Sequence, residues 1–167
     1  KNGQEVVLIR HPHAGVFEIP QLKVNNKNPE ARRILGDQPI DAVGINSRVA
    51  SKLSGADFDG DTVLVIPTDG KKIKTAPSLA GLQNFDPNSY QNLEQPQITN
   101  KTLQIQMGNI SNLITDMTIK GATDDELARA ERHAMVVIDS RKHRLDYKLS
   151  AQDNDIKALK NKYQREG

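Results

Sequence analysis

The sequence predicts an α+β chain, with strands first and helices last. Three observations predict it. Short apolar, β-branched runs broken by Pro and Gly fill residues 1–68. Residues 69–101 are rich in Asn, Gln, Pro and Gly and poor in apolar side chains. From residue 102 onward, apolar residues recur at helical spacing. The expected organisation is therefore a β region over 1–68, a long polar loop over 69–101, and a helical segment over 102–167 that packs on or beside the β region.

Each element has its own signal. Glu5-Val6-Val7-Leu8-Ile9-Arg10 is a continuous apolar run, which predicts a strand buried on both faces. Pro12 lacks a backbone donor and ends it. Val16-Phe17-Glu18-Ile19 and Leu22-Lys23-Val24 predict two short strands separated by Pro20. Pro29-Glu30-Ala31-Arg32-Arg33-Ile34-Leu35 predicts a short helix, with Pro in its first turn and Gly36 just past its end. Asp41-Ala42-Val43-Gly44-Ile45 predicts another strand, and residues 48–53 read equally as strand or helix. Thr62-Val63-Leu64-Val65-Ile66 predicts the strongest strand, buried and stopped by Pro67. A loop as long as 69–101 is uncommon unless it is functional or disordered. Leu103, Met107, Ile110, Leu113, Ile114 and Met117 line one face of a helix that Gly121 ends. Thr123-Asp124-Asp125-Glu126 is a capping box opening a second helix, with Leu127, Ala130, Ala134 and Val137 inward. Ser150-Ala151-Gln152-Asp153 predicts the cap of a third, with Ile156, Leu159 and Tyr163 inward.

The chain has 167 residues, enough for one domain or one domain with an appendage. It has no Cys, which excludes disulfides and thiolate metal sites and suits a reducing compartment. No apolar run approaches the roughly 20 residues of a membrane span, so no membrane role is expected. No signal peptide is visible and the first residue is Lys1, so the chain is expected to be cut from something longer. Net charge is only +2, but the cations are grouped. Lys71, Lys72 and Lys74 form one cluster, Arg141-Lys142-His143-Arg144 a second, and Lys157, Lys160, Lys162 and Arg165 a third. Each alone reads as a solvated face; together, beside an acidic motif, they suit a nucleic-acid channel. Aromatics at 4% are too sparse for a base-stacking platform.

That acidic motif is Asp57-Phe58-Asp59-Gly60-Asp61. Alternate residues of a strand share a face, and Gly60 permits a tight turn, so the three carboxylates are forced together. Like charges that close repel, and a bound cation relieves the repulsion. An all-oxygen donor set favours Mg²⁺ or Mn²⁺. A calcium EF-hand needs Gly at its sixth position and Glu at its twelfth. Thr62 and Thr68 stand there, so that alternative fails. A solvated acidic turn is the remaining plain alternative. The small residues Ser54-Gly55-Ala56 before the motif and the apolar run after it weigh against that turn.

Ser54-Gly55-Ala56-Asp57-Phe58-Asp59-Gly60-Asp61 resembles the metal-binding signature of the two-barrel RNA polymerases. That superfamily holds the largest subunit of cellular DNA-dependent RNA polymerases, the silencing-type RNA-dependent RNA polymerases and single-chain phage relatives. Ala56 and Phe58 follow the cellular form, and Ser54 and Gly55 the silencing form. Upstream, Val6-Val7-Leu8-Ile9-Arg10-His11-Pro12 is similar to the family's strand ending in Arg-x-Pro. Downstream, residues 107–112 and 137–142 are loosely similar to helices that follow the barrel in the silencing and phage enzymes.

The resemblance implies a double-psi β-barrel-like domain followed by a helical C-terminal segment. It implies Asp57, Asp59 and Asp61 as catalytic metal ligands for Mg²⁺, with Mn²⁺ as a substitute. It assigns Arg10 to the sugar of the incoming nucleotide and the growing RNA end. The implied reaction is nucleotidyl transfer, a 3′-hydroxyl attacking a nucleoside triphosphate with loss of pyrophosphate. Implied partners are nucleoside triphosphates, a nucleic-acid template with its RNA product, and a second barrel carrying catalytic lysines, in the same longer chain or in another subunit. Lys71, Lys72 and Lys74 are the candidate nucleic-acid contacts. The expected setting is the cytoplasm of a bacterial or phage-infected cell. Ala56-Asp57-Phe58 favours a DNA template. A silencing-type enzyme, a non-catalytic nucleic-acid-binding module and another Mg²⁺-dependent phosphoryl-transfer or hydrolytic enzyme are the alternatives. Two features depart from the family: Gly55 stands where cellular enzymes carry an Asn that helps read the 2′-hydroxyl, and 68 residues are short for six barrel strands.

Overall fold

The computed structural model describes residues 1–10, 18–50, 52–53, 61–77 and 79–164. The chain divides into two compact units, Lys1–Ala76 and Pro77–Gly167.

In the first unit, β1 (Glu5–Arg10) lies between β2 (Gln21–Lys23) and β3 (Val63–Pro67), and both pairings are antiparallel. The continuous apolar run does what its pattern implies. Val6, Val7 and Leu8 are consecutive and all buried, so both faces of β1 are covered. Ala50 and Leu53 add to this core. Helix α1 (Pro29–Leu35) starts where Pro29 fits the first turn and Asn28 Oδ1 accepts from the Glu30 and Ala31 amides. It ends at Gly36, whose φ of 82° suits glycine and whose N–H returns to the Arg32 carbonyl. The ambiguous stretch after it forms a single turn, α2 (Ser47–Ala50).

Two expectations for this unit are corrected. Residues 41–45 are irregular rather than a strand; Ile40 is fully exposed and Val43 half exposed, so no sheet surface holds them. β3 forms at its expected place, but it is not buried. Leu64, Val65 and Ile66 stay 52%, 40% and 38% exposed, because β3 lies at an edge of the sheet among the described strands. Pro67 is the last residue of β3, opposite Val6, rather than a stop outside it. The fold is α+β, and the described residues hold a three-stranded antiparallel sheet; a six-stranded barrel is not seen among them.

The second unit is helical. Helix α3 (Asn100–Ile119) is capped by Thr99, and α4 (Asp124–His143) opens with the expected capping box of Thr123 and Glu126. Gly121, at φ 72°, turns the chain between them, and the two helices pack together. Ile110, Leu113, Ile114 and Met117 of α3 and Ala130, Ala134, Val136 and Val137 of α4 are buried in the core of this unit. Ser150 does not cap the third helix. Asp146 accepts from the Lys148 and Leu149 amides and caps α5 (Tyr147–Asp153) four residues earlier, leaving Ser150 buried inside it. The chain then breaks at Asn154 and Asp155, and α6 (Ile156–Tyr163) buries Ile156, Leu159 and Tyr163 as expected.

The polar stretch before α3 is ordered by its amides. Two tight helical turns, Ala80–Leu82 and Pro87–Tyr90, precede a strap laid against the end of α4. The Asn92 amide donates to the Arg144 carbonyl (2.9 Å) and the Asp146 amide to the Tyr90 carbonyl (2.7 Å). Gln97 Nε2 reaches the Arg141 carbonyl at 2.7 Å, and Gln95 Nε2 the Asp146 carboxylate. Gly81 passes so close to α4 that a Cβ there would lie 2.7 Å from the Ala128 Cβ. No helix among the described residues is long and apolar enough to cross a membrane.

Candidate functional site

The antiparallel register of β1 and β3 builds one corner of the site. Arg10, the last residue of β1, stands opposite Val63, the first of β3. Asp61 lies two residues before Val63, which makes it the diagonal neighbour of Arg10 across the ladder. Long side chains span that diagonal. Arg10 Nε and Nη2 both lie 2.7 Å from Asp61 Oδ1. Both side chains are only about one-sixth exposed, at 15% and 16%, so water screens the pair less than a surface ion pair.

Sequence reasoning placed Arg10 and Asp61 in one site through separate motifs and did not pair them. The signal was available in the length of the two strands. An antiparallel pairing that starts with Pro67 opposite Val6 leaves Arg10 opposite Val63, two residues from Asp61.

The other carboxylates, Asp57 and Asp59, lie outside the described residues. Among the described residues, no three His, Asp or Glu side chains gather as a metal cluster would. Among the described residues Asp61 is the one member of the acidic motif, and its carboxylate is part-buried and paired with Arg10.

The lysines fall elsewhere. After β3 the Thr68 amide donates to the Glu5 carbonyl, at the start of β1. Asp69 and Gly70 then take φ of 49° and 78°, and the Lys71 amide closes the turn on the Thr68 carbonyl. Lys71, Lys72 and Lys74 are exposed on the segment that follows, which Gln21 Nε2 of β2 holds by the Ile73 carbonyl. Lys71 and Lys72 thus leave the sheet at the Glu5 end, whereas Asp61 sits at the Arg10 end. Six strand residues separate those ends by roughly 17 Å. The structure brings Arg10 and Asp61 together and does not bring Lys71 or Lys72 to them.

The basic clusters of the helical unit have local work. Lys162 Nζ bonds Glu126 Oε1 at 2.6 Å. Arg141, Lys142 and His143 occupy the last turn of α4, where positive charge complements the helix dipole. Arg144 takes a left-handed φ of 53° and sends Nη1 to the Leu93 carbonyl.

Set against family models, curated proteins and solved structures, the chain matches none of them.

Proposed function

We propose that this chain carries the metal-binding carboxylates of an RNA polymerase active site of the two-barrel type. The observation that carries this function is the contact between Arg10 and Asp61. A strand-end arginine and the last carboxylate of an Asp-Phe-Asp-Gly-Asp motif, 51 residues apart, meet at 2.7 Å. That is the proximity a shared site requires of them.

In this reading Asp57, Asp59 and Asp61 hold Mg²⁺. When bound, the ion lowers the pKa of the attacking 3′-hydroxyl and stabilises the departing pyrophosphate oxygens. Arg10 orients the ribose and the RNA end from the rim of the same corner. No side-chain nucleophile takes part. Cations that stabilise charge on the triphosphate come from a second barrel, so this chain alone does not sustain RNA synthesis. The template is DNA by the Ala56-Asp57-Phe58 likeness. Ser54-Gly55 favours the RNA-templated alternative, and synthesis on one template or the other separates the two.

The test is incorporation of labelled nucleotide on DNA and RNA templates by the longer polymerase expected to contain this stretch. Asp59→Ala is expected to abolish synthesis while circular dichroism stays unchanged, because the group removed is a ligand. Full activity of the folded variant refutes the metal-site assignment.

A further inference from the structure

We propose that Lys23 joins Lys71, Lys72 and Lys74 in one binding surface for the phosphate backbone of nucleic acid, at the Glu5 end of the sheet. It rests on the function proposed above and names where the first unit meets the nucleic acid.

β2 and the segment after β3 are remote in sequence, yet Gln21 Nε2 holds the Ile73 carbonyl across 52 residues. Lys72 and Lys74 flank Ile73. Lys23 stands two residues beyond Gln21 on β2, so its side chain leaves the same face of the strand. The path of the chain brings in the others. The Thr68 amide, just past β3, meets the Glu5 carbonyl, and Glu5 is in turn opposite Lys23. Between Thr68 and Ile73 the chain therefore passes from the β3 side of the sheet to the β2 side. That is two inter-strand spacings, or about 10 Å, and it carries Lys71 and Lys72 across the Glu5 end. The turn through Asp69 and Gly70 fixes one end of this passage and the Gln21 bond fixes the other.

All four lysines are exposed, and none has an ion pair among the described residues. The acids at this end are Glu5, opposite Lys23, and Asp69, in the turn. Both are exposed, and neither closes on a lysine. Four like charges held in one row repel, and an anion laid along the row relieves the repulsion. A phosphate backbone fits such a row, because it carries evenly spaced negative charge along a line. Lysine meets phosphate as a point charge, without the fixed fork that arginine imposes. Residues 21–24 and 68–74 contain no aromatic side chain. The surface therefore has nothing to stack on bases, and it should hold the backbone without regard to sequence.

The measurement is fluorescence anisotropy of a labelled DNA duplex of arbitrary sequence, titrated with the 167-residue chain at a series of KCl concentrations. Lys23→Gln should weaken binding and shrink the slope of log affinity against log salt by about 0.9, the share of one duplex phosphate. Lys23→Arg keeps the charge and should keep the slope. Glu5→Gln removes the acid opposite Lys23 and should tighten binding. Lys157→Gln takes an equal charge from the helical unit and should leave the slope as it is. Circular dichroism checks each fold; if Lys23→Gln does not fold, Glu5→Gln carries the test, and unchanged or weaker affinity overturns the proposal. An unchanged slope in folded Lys23→Gln, or an equal loss in Lys157→Gln, overturns it as well. So does a wild type that does not bind duplex, including one that binds only vesicles of anionic lipid. None of these outcomes decides the metal-site reading, which is tested separately by synthesis with Asp59→Ala.

Discussion

His133 Nδ1 lies 3.1 Å from Ser150 Oγ, and both side chains are buried where α4 meets α5. Asn154 Nδ2 completes the group by donating to the Ser150 carbonyl at 2.9 Å. Burial, with Lys160 adding its charge, pushes His133 down to about 4. The folded imidazole therefore stays neutral where the unfolded one, with a pKa of about 6.5, takes a proton. Above that value neither state is charged, and this group has no effect on stability. As pH falls from about 6.5 to about 4, only the unfolded chain gains the proton and the folded state loses ground, on the order of 3 kcal/mol in all. Thermal melts between pH 7 and pH 4 should show a steep loss in the wild type. His133→Gln should flatten that slope, and an equally steep loss in the variant rules out His133 as its cause.

Glu126 joins the start of α4 to the end of α6. Its carboxylate accepts from the Thr123 amide and from Tyr163 Oη at 2.6 Å, and pairs with Lys162. The bond from Lys162, followed by those from Tyr163 and Thr123, holds its pKa down at about 2. Its stabilising effect is complete above the ordinary glutamate range and is lost as pH drops from about 4.5 toward 2. At neutral pH, Glu126→Ala should lower the urea-unfolding free energy by about 1–2 kcal/mol, through loss of the cap and of a shared acceptor. Glu126→Gln should restore part of it. Identical midpoints for all three proteins refute the role.

Lys71, Lys72 and Lys74 test the channel. If they meet phosphate, replacing all three with Ala weakens binding to duplex of any sequence. The slope of log affinity against log salt then shrinks by about 0.9 for each duplex phosphate that a lysine no longer neutralises. An unchanged slope returns them to the role of a solvated edge. They leave the sheet at the Glu5 end, away from Asp61, so any phosphate they meet would belong to nucleic acid flanking the proposed site.

Legibility followed the range of the forces involved. Helix α1 and the start of α4 were readable to the residue, because Pro29, Gly36, Thr123 and Glu126 act on neighbours within one turn. β1 was readable because one long apolar run admits few alternatives. The order of the polar strap was not, since Asn92, Gln95 and Gln97 take partners around residues 141–146, far along the chain. Ser150 misled for the converse reason. Its hydroxyl can cap locally, but a buried imidazole 17 residues away engages it, and Asp146 had already closed the helix start. Asp61 and Arg10 belong to separate motifs in the sequence, and only the strand register joins them.

Pro67 bears on how the molecule meets copies of itself. The bond from the Thr68 amide to the Glu5 carbonyl sets the alternation of the β1–β3 ladder. Residue 67, opposite Val6, therefore falls at a position whose amide would point outward. Proline there removes no bond from the sheet. It does delete one donor from the outer rim of a strand whose Leu64, Val65 and Ile66 are half bare. Its ring also stands in the way of an incoming backbone. Four consecutive apolar residues on a strand that is an edge among the described strands are the raw material of aggregation, and Pro67 stands as a gatekeeper at its end.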